Sequence, residues 1–165
     1  MPTVNRRRRP PQQPVAGIEA TLVALLRRRA PDVMRWALGL VFLWFGALKV
    51  ANATPVGDLV ADTLSFVPVP ASILVPALGL FEIAVGVLLV INRWLRPVLV
   101  ALLCHLAGTF LVLVVRPDTA FKGGNVLMLT MEGEFVVKNV VLIAATLLVA
   151  ATLPSRTGDS GPVQP

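Results

Sequence analysis

The sequence predicts an all-α integral membrane protein, a bundle of four transmembrane helices with an N-terminal amphipathic helix at the membrane interface. Three observations predict it. Of the 165 residues, 56% are hydrophobic and 15% charged, where a soluble domain carries about 25% charged residues. The mean hydropathy is +0.79, and a soluble monomer rarely exposes the large apolar patches such a chain would show to water. Four stretches are also long enough to cross a hydrocarbon core of about 30 Å at about 1.5 Å per residue.

Residues 1–16 hold four arginines, Arg6 to Arg9, followed by a Pro- and Gln-containing stretch, and read as a disordered basic tail. A cleavable signal peptide would place an apolar core directly after its first charges. Here no sufficient apolar run begins before Val33. Residues 17–32 form the expected amphipathic helix. Ile18, Leu22, Leu25 and Leu26 share one helical face, and Arg27 to Arg29 follow, a pattern suited to an anionic leaflet. Residues 33–153 form the membrane domain, with spans near Val33–Val50, Ala71–Ile91, Leu95–Val115 and Phe135–Leu153. Asn92-Arg93, Arg116-Pro117-Asp118 and Pro154 mark where the last three stop. Residues 154–165 read as a disordered C-terminal tail. The loops 51–70 and 117–134 are apolar enough to lie against the membrane or to fold over the bundle as caps.

With four spans, eleven of the fifteen Lys and Arg residues fall on the side of the two termini and four on the other. The positive-inside rule therefore places both termini in the cytoplasm and the protein in the cytoplasmic membrane. Trp36 and Trp94 fall near the same boundary, where interfacial aromatic rings belong. The bilayer is the expected partner. A short arginine run beside a bilayer gives no reason to expect nucleic-acid binding.

The informative residues are charges inside the apolar stretches. An ionisable side chain at the centre of a span costs about 2.5–3.5 kcal/mol on insertion scales, so it faces the bundle and finds a partner. Glu82 and His105 each sit near the middle of a span. Gly79 and Gly86 share the face of Glu82, Ala101 and Gly108 flank His105, and Gly39 and Gly46 repeat the seven-residue glycine spacing on the first span. Small residues mark the sides where membrane helices approach closely. Lys49 follows Gly46 at i+3, so Lys49, Glu82 and His105 lie on the small-residue seams of three helices. Lys138 opens the fourth span, four residues after Glu134. Either lysine reaches inward to Glu82 or outward to water along its flexible stem. A depth difference of roughly 10 Å by helical rise weighs against the inward pairing.

Two readings of Glu82 with His105 stay open. One is a proton-carrying pair in a buried polar pocket, able to serve a quinone or to pass protons across the membrane. The other is a buried hydrogen bond that fixes helix packing. These ligands are too few for a metal site, and none is expected. Cys104 is the sole cysteine, which excludes an internal disulfide, a CxxC pair and a thiolate zinc cluster. It reads as a small structural hydrophobe.

The series Arg35-Trp36-x-Leu-Gly39, Trp44-x-Gly46-x-Leu-Lys49, Glu82-x3-Gly86, His105-x2-Gly108-Thr109-Phe110 and Leu129-Thr130-x-Glu132-Gly133-x-Phe135-x2-Lys138-Asn139 resembles the DoxX-like superfamily of small four-helix membrane proteins. The resemblance covers roughly residues 33–153. It implies a link to membrane subunits of a thiosulfate:quinone oxidoreductase and to thiol and oxidative-stress systems. Its charged positions fall on Lys49, Glu82, Glu132 and Lys138 here. Together with His105 these are the candidate residues around a cofactor, with Glu82 and His105 the candidates for proton chemistry.

The expected function is an accessory membrane subunit of a quinone- or thiol-linked redox assembly. It would anchor a soluble oxidoreductase and hold a quinone without covalent attachment. No haem ligand pair, iron–sulfur motif or nucleotide-binding glycine loop supplies electrons from within the sequence. The alternatives are a non-catalytic scaffold that recruits partners, and permeation of protons or a small solute by a homo-oligomer.

Overall fold

The computed structural model describes residues 14–154. The basic tail expected over 1–16 lies outside the described residues except for its last three positions, and of the C-terminal tail only Pro154 is described. Eight α-helices follow in chain order: α1 (Pro14–Val50), α2 (Gly57–Thr63), α3 (Ala71–Val90), α4 (Leu95–Thr109), α5 (Val112–Val115), α6 (Pro117–Ala120), α7 (Met131–Val137) and α8 (Asn139–Ala151). Among the described residues, four helical stretches are long and apolar enough to cross a membrane: Gly17–Val50, Ala71–Val90, Leu95–Val115 and Met131–Ala151. The protein is an all-α, multi-pass membrane bundle.

The amphipathic segment and the first span form one helix, α1, that continues through Pro31. Its 37 residues extend about 55 Å by helical rise, well beyond the hydrocarbon core. Ile18, Leu22, Leu25 and Leu26 are exposed, so this end of α1 stands clear of the bundle. Near the point where α1 joins the bundle, buried Arg35 closes the far end of α3. It donates to the carbonyls of Leu89 and Val90, the latter at 3.0 Å, and lies 3.5 Å from Asp32. A cation there satisfies helix-terminal acceptors and complements the helix dipole.

The tightest pairing is α1 against α3, and glycines make it. Gly39 faces Gly86 and Gly46 faces Gly79, in antiparallel register. A Cβ built on Gly46 would sit 2.5 Å from the Gly79 carbonyl oxygen, and one on Gly86 2.7 Å from that of Gly39. Lipid tails are as apolar as leucine, so packing rather than water exclusion holds membrane helices together, and close backbone approach is how they gain it.

The two halves of the bundle differ. Toward the termini, Leu38, Phe42, Leu89, Leu99, Leu102 and Val149 build a closed core. Toward the loops, the third and fourth spans are interrupted, the third between α4 and α5 and the fourth at Lys138. Backbone bonds at these breaks tighten to i→i−3, as in Phe110 N–H to Ala107 and Val141 N–H to Lys138. In lipid, such irregular backbone persists only where it is buried in protein or lines a cavity. Here it adjoins a cavity. The loop 51–70 folds over it through α2, and the loop 116–130 turns back at the Phe121–Leu129 bridge. Thr130 then caps α7, its hydroxyl accepting from Gly133 N–H at 3.1 Å.

Candidate functional site

The cavity measures about 290 Å³. Its walls are mainly apolar, from Phe42 and Phe45 of α1, Leu59 and Val60 of α2, Leu78 of α3, Leu106 of α4, Val112 of α5 and Phe135 of α7. Lys49, Glu82 and His105 form one polar region of its lining, and Thr109 with Asn139 a second.

The sequence brought Lys49, Glu82 and His105 to three facing seams, and the structure joins them. The Lys49 ammonium donates to both Glu82 oxygens, at 3.0 Å to Oε1 and 2.7 Å to Oε2. His105 Nε2 lies 2.9 Å from Glu82 Oε1. The side chains are 10%, 5% and 16% exposed in the order Lys49, Glu82, His105. Phe42 meets the imidazole edge-on, with ring centroids 6.2 Å apart, and Phe81 flanks it at 5.2 Å.

The depth difference that weighed against Lys49 is closed by side-chain direction. Gly79 faces Lys49 directly, which leaves Glu82 one turn deeper, about 4.5 Å by helical rise. Side chains on a helix lean toward its N-terminus. Because α1 and α3 are antiparallel, Lys49 leans into the bundle and Glu82 leans back toward the loops. The two side chains meet between their backbones.

This geometry also sets the proton arrangement. A carboxylate that accepts from an ammonium on both oxygens can only accept from the imidazole as well. In a neutral ring the proton then sits on Nε2 and Nδ1 is the acceptor. Nε2 of His105 is committed to Glu82, and Nδ1 has no hydrogen-bond partner among the described residues.

The other two candidates are elsewhere. Lys138 pairs with Glu134 at 3.3 Å, with both side chains more than half exposed, and neither Lys138 nor Glu132 lines the cavity. The break at Lys138 explains this, since it restarts the helix with the next residue, Asn139, turned inward. Asn139 is buried, and its amide donates to Thr109 Oγ1 at 2.9 Å. Sequence reasoning missed this pair. The signals were the polarity of both residues inside apolar runs, where uncharged polar residues are common as helix-to-helix links, and their place in the series that carries the family resemblance.

Outside the spans, Arg116 ties the two loops together, 3.0 Å from Asp62 and 3.5 Å from Asp118. The hydrogen bond from Arg116 is the main reason the Asp118 carboxyl titrates below its ordinary range, and the same bond holds the Arg116 guanidinium above its own.

Fold and site define a multi-pass membrane protein with a buried three-residue ionic cluster facing an apolar cavity. The family model described as DoxX matches residues 30–115, just over half of the chain. The chain belongs to the DoxX family. The matched region contains Lys49, Glu82, His105 and Thr109, and Asn139 lies beyond it. No curated protein and no solved structure matches the chain.

Proposed function

We propose that this DoxX-family chain is an accessory membrane subunit of a redox assembly and that its cavity holds a quinone head group. The observation that carries the reading is the placement of the ionic cluster. An ion pair kept only for packing needs no free volume beside it, whereas this one faces an apolar cavity close to the size of small-ligand sites. The donor set fits a quinone. Apolar and aromatic walls suit a flat ring, the Lys49 ammonium donates to a carbonyl oxygen, and the His105 acceptor nitrogen receives a proton from a hydroxyl.

A bound quinone supplies the two-electron, two-proton chemistry that the side chains lack. Lys49 holds the Glu82 carboxylate in place, and Glu82 fixes the ring orientation of His105. His105 is the group that takes up or releases a proton at the ligand. Electrons are exchanged with a soluble oxidoreductase partner. The charge distribution supports placing that partner with the termini on the cytoplasmic side, and the exposed Ile18–Leu26 face at the free end of α1 is its docking element. The same exposed face supports a second reading, a scaffold that recruits proteins without using the cavity.

The test is native mass spectrometry of the protein extracted gently from its own membranes, for wild type and Glu82→Gln. The expected result is a quinone on the wild type and at least a tenfold loss of occupancy in the variant, with the oligomeric state unchanged. Wild-type protein that carries phospholipid alone would overturn the redox reading in favour of the scaffold.

A further inference from the structure

The cavity has a second polar region, and its chemistry points to how a ligand is oriented. Thr109 Oγ1 donates to the Leu106 carbonyl at 2.6 Å, an oxygen left free because Phe110 N–H bonds Ala107 instead. With its hydrogen committed there, the hydroxyl can only accept from Asn139. This fixes the amide orientation without ambiguity between its oxygen and nitrogen. One N–H of Asn139 is then used.

Its second N–H and its carbonyl oxygen have no hydrogen-bond partner among the described residues. Yet no buried side-chain nitrogen or oxygen there is sealed away without one. The unused oxygen of Asn139 is therefore not sealed off, and Asn139 is one of the residues that line the cavity.

Spacing supplies the second half of the argument. Thr109 lies at i+4 from His105 on α4, one turn along the same face and about 6 Å by helical rise. That sets the two polar regions about one helical turn apart along one wall of the cavity. The position also coincides with the ends of two helices, since α4 stops at Thr109 and α8 starts at Asn139.

We infer that Asn139, held by Thr109, is a second hydrogen-bonding station, which takes the far oxygen of a planar two-ended ligand while the Lys49–Glu82–His105 cluster takes the near one. The inference rests on the quinone reading and specifies the ligand class as a ring with oxygens at opposite ends. An amide suits this task because its N–H donates to a carbonyl and its oxygen accepts from a hydroxyl. It thus serves the oxidised and the reduced ligand without changing its own protonation. Asn139 is a specificity-determining residue, and Thr109 positions it.

The test uses the full chain in lipid nanodiscs and two probes, 2,3-dimethyl-1,4-naphthoquinone and its one-carbonyl relative 1-tetralone. The dimethyl compound has no unsubstituted quinone-ring carbon to which the Cys104 thiol could add. Affinities are measured for wild type, Asn139→Leu and Thr109→Val, the last being close to isosteric. The preference of the wild type for the quinone over the ketone should fall by about 3- to 10-fold in both variants, one hydrogen bond's worth. Comparing two ligands within one protein cancels any general loss of fold, and Thr109→Val alone suffices if Asn139→Leu does not fold. Quinone binding with an unchanged preference in the variants would overturn the second station and leave the quinone reading standing. No binding of either probe to the wild type would overturn the quinone reading itself.

Discussion

Two charge clusters of opposite design hold this molecule together. In the bundle, one acid sits between two bases, Glu82 between Lys49 and His105. At the loops, one base sits between two acids, Arg116 between Asp62 and Asp118. Each joins elements distant in sequence, the first α1, α3 and α4, the second α2 and α6. Their surroundings separate them. Side chains of the inner cluster are at most 16% exposed, while those of the outer cluster range from 34% to 70%. Identical chemistry therefore has unequal consequences. Away from water, removal of one partner strands a charge that nothing solvates. At the surface, water replaces the lost partner and salt screens what remains.

The largest effect should come from Lys49→Met. It leaves the Glu82 carboxylate buried beside only an imidazole, and loss of one partner from a buried pair costs about 3–5 kcal/mol. Unfolding monitored in detergent should show this loss, and adding Glu82→Leu should recover much of it. If Lys49→Met alone is neutral, the inner cluster is solvated and the contrast between the clusters fails.

Gly46→Ala comes next. The new Cβ meets the Gly79 carbonyl oxygen, so α1 and α3 must separate, and forcing extra atoms into a packed interface costs about 1–3 kcal/mol. The separation should also weaken the Lys49–Glu82 contact, which a double-mutant cycle with Lys49→Met would report as non-additivity.

Arg116→Gln should have the smallest effect, a change in unfolding temperature too slight to resolve from replicates. Its effect is confined to the pH range in which Asp118 is ionised. The Asp118 carboxyl titrates lower in the folded protein than in the unfolded chain, owing first to the Arg116 hydrogen bond. Its contribution is therefore present above the unfolded value and is lost as pH falls through the folded one, below about pH 4. Wild type and Arg116→Gln should therefore converge below about pH 4, and the small difference between them should be constant between pH 5 and 9. Added salt should shrink the difference further.

The contrast also marks how much of the protein can be read without coordinates. Four spans, their boundaries within a few residues except at the start of the first, where α1 runs on unbroken from its amphipathic segment, and the inward aim of Glu82 follow from apolar run length and glycine spacing. The glycines at 39, 46, 79 and 86 mark faces of close approach on α1 and α3, and the structure shows that these two faces meet each other. The pairing of Lys49 with Glu82 was harder to read, because helical rise measures backbones and not the lean of side chains. Lys138 looked equivalent to Lys49 by charge and boundary position, and Glu132 entered only through the family resemblance. The break that turns Asn139 inward and leaves Lys138 outside gives no signal in hydropathy.

The sequence by itself determined the solvent, the number of crossings and the helix faces that carry polar groups, since each follows from local composition and a fixed helical period. Tertiary structure alone decided which polar groups meet, that the third and fourth spans break at one level, and that a cavity lies between the ionic cluster and the Asn139–Thr109 pair. These depend on register between helices. Register is set where backbones come into contact, across residues far apart in the chain.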